Sequence, residues 1–230
     1  MTVQITWHGH ATWIIEAEGH RILVDPFFDE NPAAVRKAKE VQADTILVTH
    51  GHFDHLADAA AIAKQSEATV VANFEIATWL SSEHGVKSTV GMNLGGWATL
   101  PFGRVQMTIA FHSSQLPDGS YGGNPGGFVI EVAGKRIYVA GDTALFSDMQ
   151  LYGQPALDAA ILPIGDLFTM GPADSLQAIA WLRPRVVLPS HYNTWPPIEQ
   201  DVQAWAEQVR RQAIAEPFVP DVGQSFELGE

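Results

Sequence analysis

A chain of 230 residues with 46% hydrophobic and 17% charged content has the composition of an ordinary folded protein, which excludes disorder and fibre. Thirteen basic against 26 acidic residues leave a formal charge of −13, a field that repels phosphate backbones and anionic bilayers, so neither nucleic acid nor stable membrane association is expected. There is no cysteine; disulfide frameworks and thiol nucleophiles are excluded, and any metal must be held through nitrogen and oxygen.

Alternating apolar residues at Val3, Ile5 and Trp7 predict a first strand, and Trp13-Ile14-Ile15 with Ile22-Leu23-Val24, joined at Glu18-Gly19, predict a hairpin ending at Asp25-Pro26. Pro32 to Val41 is expected to form a short helix. Thr45-Ile46-Leu47-Val48 is an uninterrupted apolar run of the kind buried on both faces of a sheet. Helix (Leu56 to Gln65), strand (Ala68 to Ala72) and helix (Glu75 to Glu83) then alternate. From Lys87 to Val139, β-branched residues split by Gly95-Gly96, Pro101-Phe102-Gly103 and Ala133-Gly134-Lys135 predict antiparallel hairpins. Leu145 to Tyr152 and Pro172 to Leu182 read as helices, Ala159 to Ile164 and Val186 to Pro189 as buried strands, and Ile198 to Ala213 as an amphipathic helix.

No apolar run reaches the roughly 18 to 20 residues of a membrane span, and Met1-Thr2-Val3-Gln4 lacks the basic-then-hydrophobic pattern of an export signal, so a cytoplasmic protein is expected. Without a linker-like break, residues 1–230 are expected to form one domain of two sheets and outer helices. The first hairpin is echoed later: Ile15-Glu16, Gly19, Arg21-Ile22 and Val24 match Ile130-Glu131, Gly134, Arg136-Ile137 and Val139 at equal spacing. Two hairpins of one length converging on similar residues explain this as well as a repeat does. A true repeat would bring Asp25 and Asp142 to the same end of the sheets.

Four potential ligands fall within six residues in His50-Gly51-His52-Phe53-Asp54-His55, directly after the buried strand. Imidazole suits borderline divalent metals, and a carboxylate adds a harder ligand that also neutralises charge. In an extended segment His50 and His52 project to one side, and the turn that follows can bring Asp54 and His55 beside them. That arrangement suits two adjacent metals better than one. A solvent-exposed histidine-rich loop is the alternative.

The segment resembles the His-x-His-x-Asp-His signature of the metallo-β-lactamase superfamily of metal-dependent hydrolases. Companion motifs follow in the family's order: Asp25 after an early strand, His112 after a central one, Asp142 in Ala140-Gly141-Asp142-Thr143, and His191 in Pro189-Ser190-His191. The resemblance implies an α/β fold, an αββα sandwich of two mixed β-sheets flanked by helices, with metals at one edge. It implies His50, His52 and His112 as ligands of one divalent ion, Asp54, His55 and His191 as ligands of a second, and Asp142 as a bridge. Zinc is the family default, and nickel, manganese and iron accept the same ligand types. Taken alone, His112 reads as a strand-end histidine and Asp142 as a turn or capping residue. Asp25 is expected to orient the metal loop rather than to bind metal.

Trp7-His8-Gly9-His10-Ala11-Thr12 resembles the Trp-x-Gly-His-Ala-Thr turn of a branch that includes phospholipase D enzymes acting on N-acyl phosphatidylethanolamines, ascorbate-phosphate lactonases and uncharacterised bacterial hydrolases. The resemblance implies that a hydroxide shared by the metals attacks a small ester-type substrate, a phosphodiester or a (phosphorylated) lactone. Asp54 would orient that hydroxide as well as ligate, and His10 is a candidate catalytic residue that faces the cleft, or else a buried histidine bonded to backbone. A thioester hydrolase and a non-catalytic metal-binding or sensor domain are the alternatives. Substrate contact by His8 or Asn193 stays open, as does homo-oligomer formation. His191 to Pro197 is a candidate pocket-lining loop, and Pro117 to Gly127 reads as a mobile flap near His112, because it lacks the Lys-Ser/Thr and following helix of a phosphate loop.

Overall fold

The computed structural model describes residues 2–229. Strands β1 (Val3–Trp7), β2 (Trp13–Ala17), β3 (His20–Val24), β4 (Thr45–Leu47), β5 (Thr69–Asn73) and β6 (Thr89–Met92) lie in chain order across one sheet. The second sheet contains β7 (Trp97–Leu100), β8 (Gly103–Ile109), β9 (Gly126–Val132), β10 (Lys135–Val139), β11 (Ala159–Pro163), β12 (Val186–Ser190) and β13 (Glu216–Pro217), again in chain order. The final strand, β14 (Ser225–Leu228), returns to pair antiparallel with β1 and completes seven strands in each sheet.

Alternation along the strands assigns each side chain to a layer. Ile5, Trp13 and Ile15 of the first sheet meet Val105, Ile130 and Ile137 of the second in a core between the sheets. Ile14, Leu23 and Ile46 point the other way, onto helices α2 (Ala59–Ser66) and α3 (Phe74–Ser82) through Ile62 and Leu80. Helices α5 (Pro172–Leu182) and α6 (Val202–Gln212) supply Ile179 and Trp205 on the second sheet's outer side. The result is the expected αββα sandwich of two mixed sheets.

Several predicted elements are shorter than the sequence suggests, because side chains capture the backbone. In the Pro32 to Val41 segment only Ala38–Glu40 winds, as a single 3-10 turn: Asn31 Oδ1 takes Ala33 N and Asp29 Oδ1 takes Ala38 N, each at 2.9 Å. The helix predicted from Leu56 is two pieces, α1 (Phe53–Leu56) and α2, divided where Asp58 Oδ2 accepts from Phe28 N and Asp29 N. Of Leu145 to Tyr152, only α4 (Met149–Tyr152) is helical. Thr89–Met92, expected in an antiparallel hairpin, pairs parallel to β5 after the α3 crossover.

The repeated hairpins superpose in their pairing. Ile15 faces Ile22 and Glu16 faces Arg21 in β2–β3, and Ile130 faces Ile137 and Glu131 faces Arg136 in β9–β10. Each turn places two residues at positive φ, Glu18-Gly19 and Ala133-Gly134. The agreement extends outward: β1 to β6 and β8 to β13 share one sequence of antiparallel, antiparallel, then three parallel pairings.

Candidate metal centre

Chain segments at one end of the strands deliver the predicted ligands. Asp25 follows β3, His50 to His55 follow β4, His112 follows β8, Asp142 follows β10 and His191 follows β12. His52 is extended at the start of α1, whose single turn brings Asp54 and His55 round beside it. The three groups of donor atoms, each within 4.8 Å of one another, are His50, His52 and His112; His50, His55 and Asp142; and Asp54, His55 and His191 with His10. Asp142 Oδ2 lies 3.0 Å from His191 Nε2, 3.4 Å from His55 Nε2 and 3.6 Å from His112 Nε2, so one carboxylate touches both halves of the cluster.

Asp25 touches ligands from behind. Its Oδ1 accepts from Thr49 N at 2.8 Å, and its Oδ2 accepts from Thr49 Oγ1 and from His55 Nδ1, both at 2.7 Å. Because the Thr49 hydroxyl donates to Asp25, it accepts from His50 Nδ1 at 3.0 Å. In both rings Nδ1 is thereby the donor toward the protein, leaving Nε2 as the nitrogen that can take a metal. The His50 lone pair meets His52 Nδ1 at 2.9 Å, while the far nitrogen of His52 faces Ser113 Oγ at 3.2 Å. His55 Nε2 and Asp142 Oδ1 are buried without any hydrogen-bond partner. A buried ring nitrogen without a hydrogen-bond partner costs free energy, which a cation or a proton placed against Asp142 Oδ2 would relieve. The donor set of imidazole and carboxylate fits borderline divalent ions.

The electrostatics agree. Burial opposes charge on His55, yet Asp142, Asp25 and Asp54 outweigh it and hold the ring well above the ordinary imidazole range, so without a cation Nε2 also carries a proton, which a bound divalent ion would displace. Burial also opposes ionisation of Asp142, but His191 and His55 hold its carboxyl well below the usual range. Burial, reinforced by His55, keeps His50 neutral and so a competent ligand.

His10 lies behind Asp54. Its Nε2 is 3.0 Å from Asp54 Oδ2 and its Nδ1 is 2.8 Å from Thr194 Oγ1, and the ring is fully buried. An ionised carboxylate only accepts, so Nε2 carries the hydrogen and Nδ1 accepts from Thr194. Burial and the neighbouring His191 lower its pKa to about 4, which keeps the ring neutral. The expectation that His10 faces the cleft is therefore not met: neither ring nitrogen is available to a substrate. The Trp7-to-Thr12 turn serves this placement. Gly9 and His10 both have positive φ, and the His10 carbonyl accepts from Trp7 Nε1, Ser190 Oγ and His191 N.

His8 is buried against Phe28 and belongs neither to the groups of donor atoms nor to the cleft lining. Asn193 Oδ1 accepts from Gln200 N and shapes a turn. Pro117 to Gly127 is a hydrogen-bonded loop rather than a free flap: Gln115 bridges Tyr121, and Asn73 Nδ2 donates to the carbonyls of Gly122 and Asn124. Thr49 and Thr194, unread in the sequence, matter as much as some ligands. Each sits beside a motif residue and carries a hydroxyl, which is the only local signal of its role.

The cluster forms the floor of a cleft of about 700 Å³ whose walls include Phe53, Leu116, Pro117, Phe168, Trp195 and Pro197. The candidate lining loop after His191 thus contributes Trp195 and Pro197. No helix among the described residues is long and apolar enough to cross a membrane.

A family model described as the beta-lactamase superfamily domain matches residues 4–191. A UPF0173 metal-dependent hydrolase of Thermus thermophilus is 51% identical over 212 residues, 92% of this chain and 93% of its own. Another, from Pelotomaculum thermopropionicum, is 47% identical over 231 residues and covers 98% of this chain and 100% of its own. Among solved structures, Igni18, a metallo hydrolase of the archaeon Ignicoccus hospitalis, aligns over 100% of both chains with a TM-score of 0.90 and 34% identity. With the donor cluster, the sandwich and these relatives together, the chain belongs to the metallo-β-lactamase superfamily, as a metal-dependent hydrolase.

Proposed function

We propose that the chain hydrolyses an ester-type bond of a small molecule using two divalent cations. His50, His52 and His112 would hold one, Asp54, His55 and His191 the other, and Asp142 both. The observation that carries this reading is two donor clusters meeting at one buried carboxylate, whose Oδ2 lies 3.0 to 3.6 Å from His191, His55 and His112, with His55 Nε2 left without a hydrogen-bond partner. Bound divalent ions supply a water of lowered pKa and polarise the scissile oxygen. Zinc, the family default, is the first candidate, and nickel, manganese or iron can take the same ligands.

The chain's own residues do the rest. Asp25 and Thr49 keep Nε2 of His50 and of His55 pointed forward. Asp54 is the more exposed of the two central carboxylates, at 12% against 3% for Asp142, so it is the group placed to accept a hydrogen bond from the attacking water. His10 keeps Asp54 Oδ2 in register as a positioning residue, and the leaving group takes its proton from solvent.

Elemental analysis of protein purified without added metal tests this directly, and two divalent ions per chain are expected. Chelation should abolish hydrolysis of activated esters, and Asp142→Asn should lower metal content and turnover together, the latter at least a hundredfold. Unchanged metal content in that variant, or turnover that survives chelation, contradicts the reading.

A further inference from the structure

The cleft says something about what it binds. Its loops, residues 49–58, 111–127, 140–149, 164–171 and 190–201, contain no lysine or arginine, and they carry Asp118, Asp148 and Asp166 as well as the ligand carboxylates. A substrate with a phosphate or carboxylate away from its reacting bond would meet no fixed positive charge there, in a protein whose formal charge is −13. The walls are apolar instead. Phe53 and Phe168 are 49% and 55% exposed at the cleft, and Leu167, beside Phe168 in sequence, is 68% exposed. Phe53 packs edge-on to Phe27 and lies 6.2 Å from Trp195, which in turn packs against His10, so this wall is built rather than loose. A concentration of exposed apolar side chains beside a reactive centre marks where a ligand is desolvated. The main polar groups of the lining are committed elsewhere: Ser113 to His52, and Gln115 Nε2 to the Gly119 carbonyl.

We propose that the substrate is an uncharged carboxylic ester, open-chain or lactone, whose apolar portion lies against Phe53, Phe168 and Trp195; this rests on the ester-hydrolase reading above. In the reaction the acyl C–O bond breaks and the acyl carbon bonds to a water oxygen. One water proton ends on the departing alcohol and the other is released as the acid ionises, with no change of oxidation state. The phosphorylated-lactone alternative is disfavoured by the same loops, which offer a peripheral phosphate no counter-charge; a phosphodiester, whose phosphate is the reacting group, is separated from the carboxylic ester by the kinetics below.

Two measurements on the metal-loaded protein test this. Calorimetric titration with butanamide, hexanamide and octanamide reads recognition without turnover, and affinity should rise two- to fourfold per added methylene. Kinetics with 4-nitrophenyl acetate, butyrate and hexanoate should show the same rise in kcat/KM, and 4-nitrophenyl hexanoate should exceed both the hemisuccinate and bis(4-nitrophenyl) phosphate at least tenfold. Phe168→Ala, at an exposed position, should lower the hexanoate-to-acetate ratio at least threefold, and Phe168→Lys should shift preference toward the hemisuccinate. Affinity and kcat/KM that are flat with chain length, or preference for the phosphodiester or the hemisuccinate, overturn the proposal. If no ester turns over while amide affinity still climbs and Phe168→Ala abolishes the climb, apolar recognition stands and the ester-hydrolase reading is the part that fails.

Discussion

Asp25 is 1% exposed and does not line the cleft, yet its Oδ2 orients His55 directly and His50 through the Thr49 hydroxyl. In Asp25→Asn, one side of the carboxylate becomes a donor facing a donor, at Thr49 or at His55 Nδ1. Metal affinity is expected to fall ~10- to 100-fold, read by competition with a chromogenic chelator, while the ligands themselves stay in place. Thr49→Val should weaken binding at the His50 side alone. The ligand run was legible because its residues are adjacent in sequence and its chemistry is of one kind. The orienting hydroxyls of Thr49 and Thr194 were not, since a threonine at a strand end usually serves the backbone. His8 gives a pH signature independent of the cluster. Burial, with Arg36 nearby, lowers its pKa to about 4 from the 6.5 of an unfolded chain. A histidine depressed by folding favours the native state above pH 6.5, and that advantage drains away as pH falls toward 4, because only the unfolded chain takes the proton. Chelated wild type should therefore lose stability over this window faster than chelated His8→Asn, as measured by urea midpoints.

The elements were legible where apolar periodicity carries the burial, as in the three-strand opening, β11, β12 and α5. They were misread where Asp29, Asn31 and Asp58 side chains take backbone hydrogens that a helix would need. No periodicity reveals such captures. The internal echo proved to be a matched pair of hairpins, each followed by a parallel strand and each leading to an aspartate of the centre, Asp25 or Asp142. Its glycines separate two costs. At Gly19 (φ +79°) and Gly134 (φ +74°) an added Cβ meets nothing within 4 Å, so alanine should cost only the ~1 kcal/mol of left-handed backbone. At Gly127 a Cβ would collide with the carbonyl oxygens of Val139 and Ala140, and backbone cannot yield as a side chain can. Gly127→Ala should thus lose several times more stability than Gly19→Ala in thermal melts. It should also disturb metal binding, because β9 and β10 carry Asp142 into place.

For the whole molecule, the decisive feature is a cluster of carboxylates at one end of the sandwich with no arginine or lysine in the segments that line the cleft. Asp25, Asp54 and Asp142 crowd about one buried imidazole, and without cations the positive charge that offsets them is chiefly that of His55. Metal is therefore expected to stabilise the fold as well as to serve chemistry. A concentration near a thousand times Kd contributes ~4 kcal/mol, so exhaustive chelation should lower Tm by ~10 °C, and Asp142→Asn should shrink that difference. The sandwich was legible through the signature at residues 50–55 and the order of its companions, and one wall through the loop that carries Trp195; the roles of Phe53 and Phe168 were not, because they come from separate segments that only folding brings beside it. The central claim is that residues from 50 to 191 converge on a pair of cations. Anomalous diffraction from crystals of protein purified without added metal tests it most directly. The expected map has two peaks, one among His50, His52 and His112 and one among Asp54, His55 and His191, with Asp142 between them; a single peak, or peaks away from these side chains, would contradict the account.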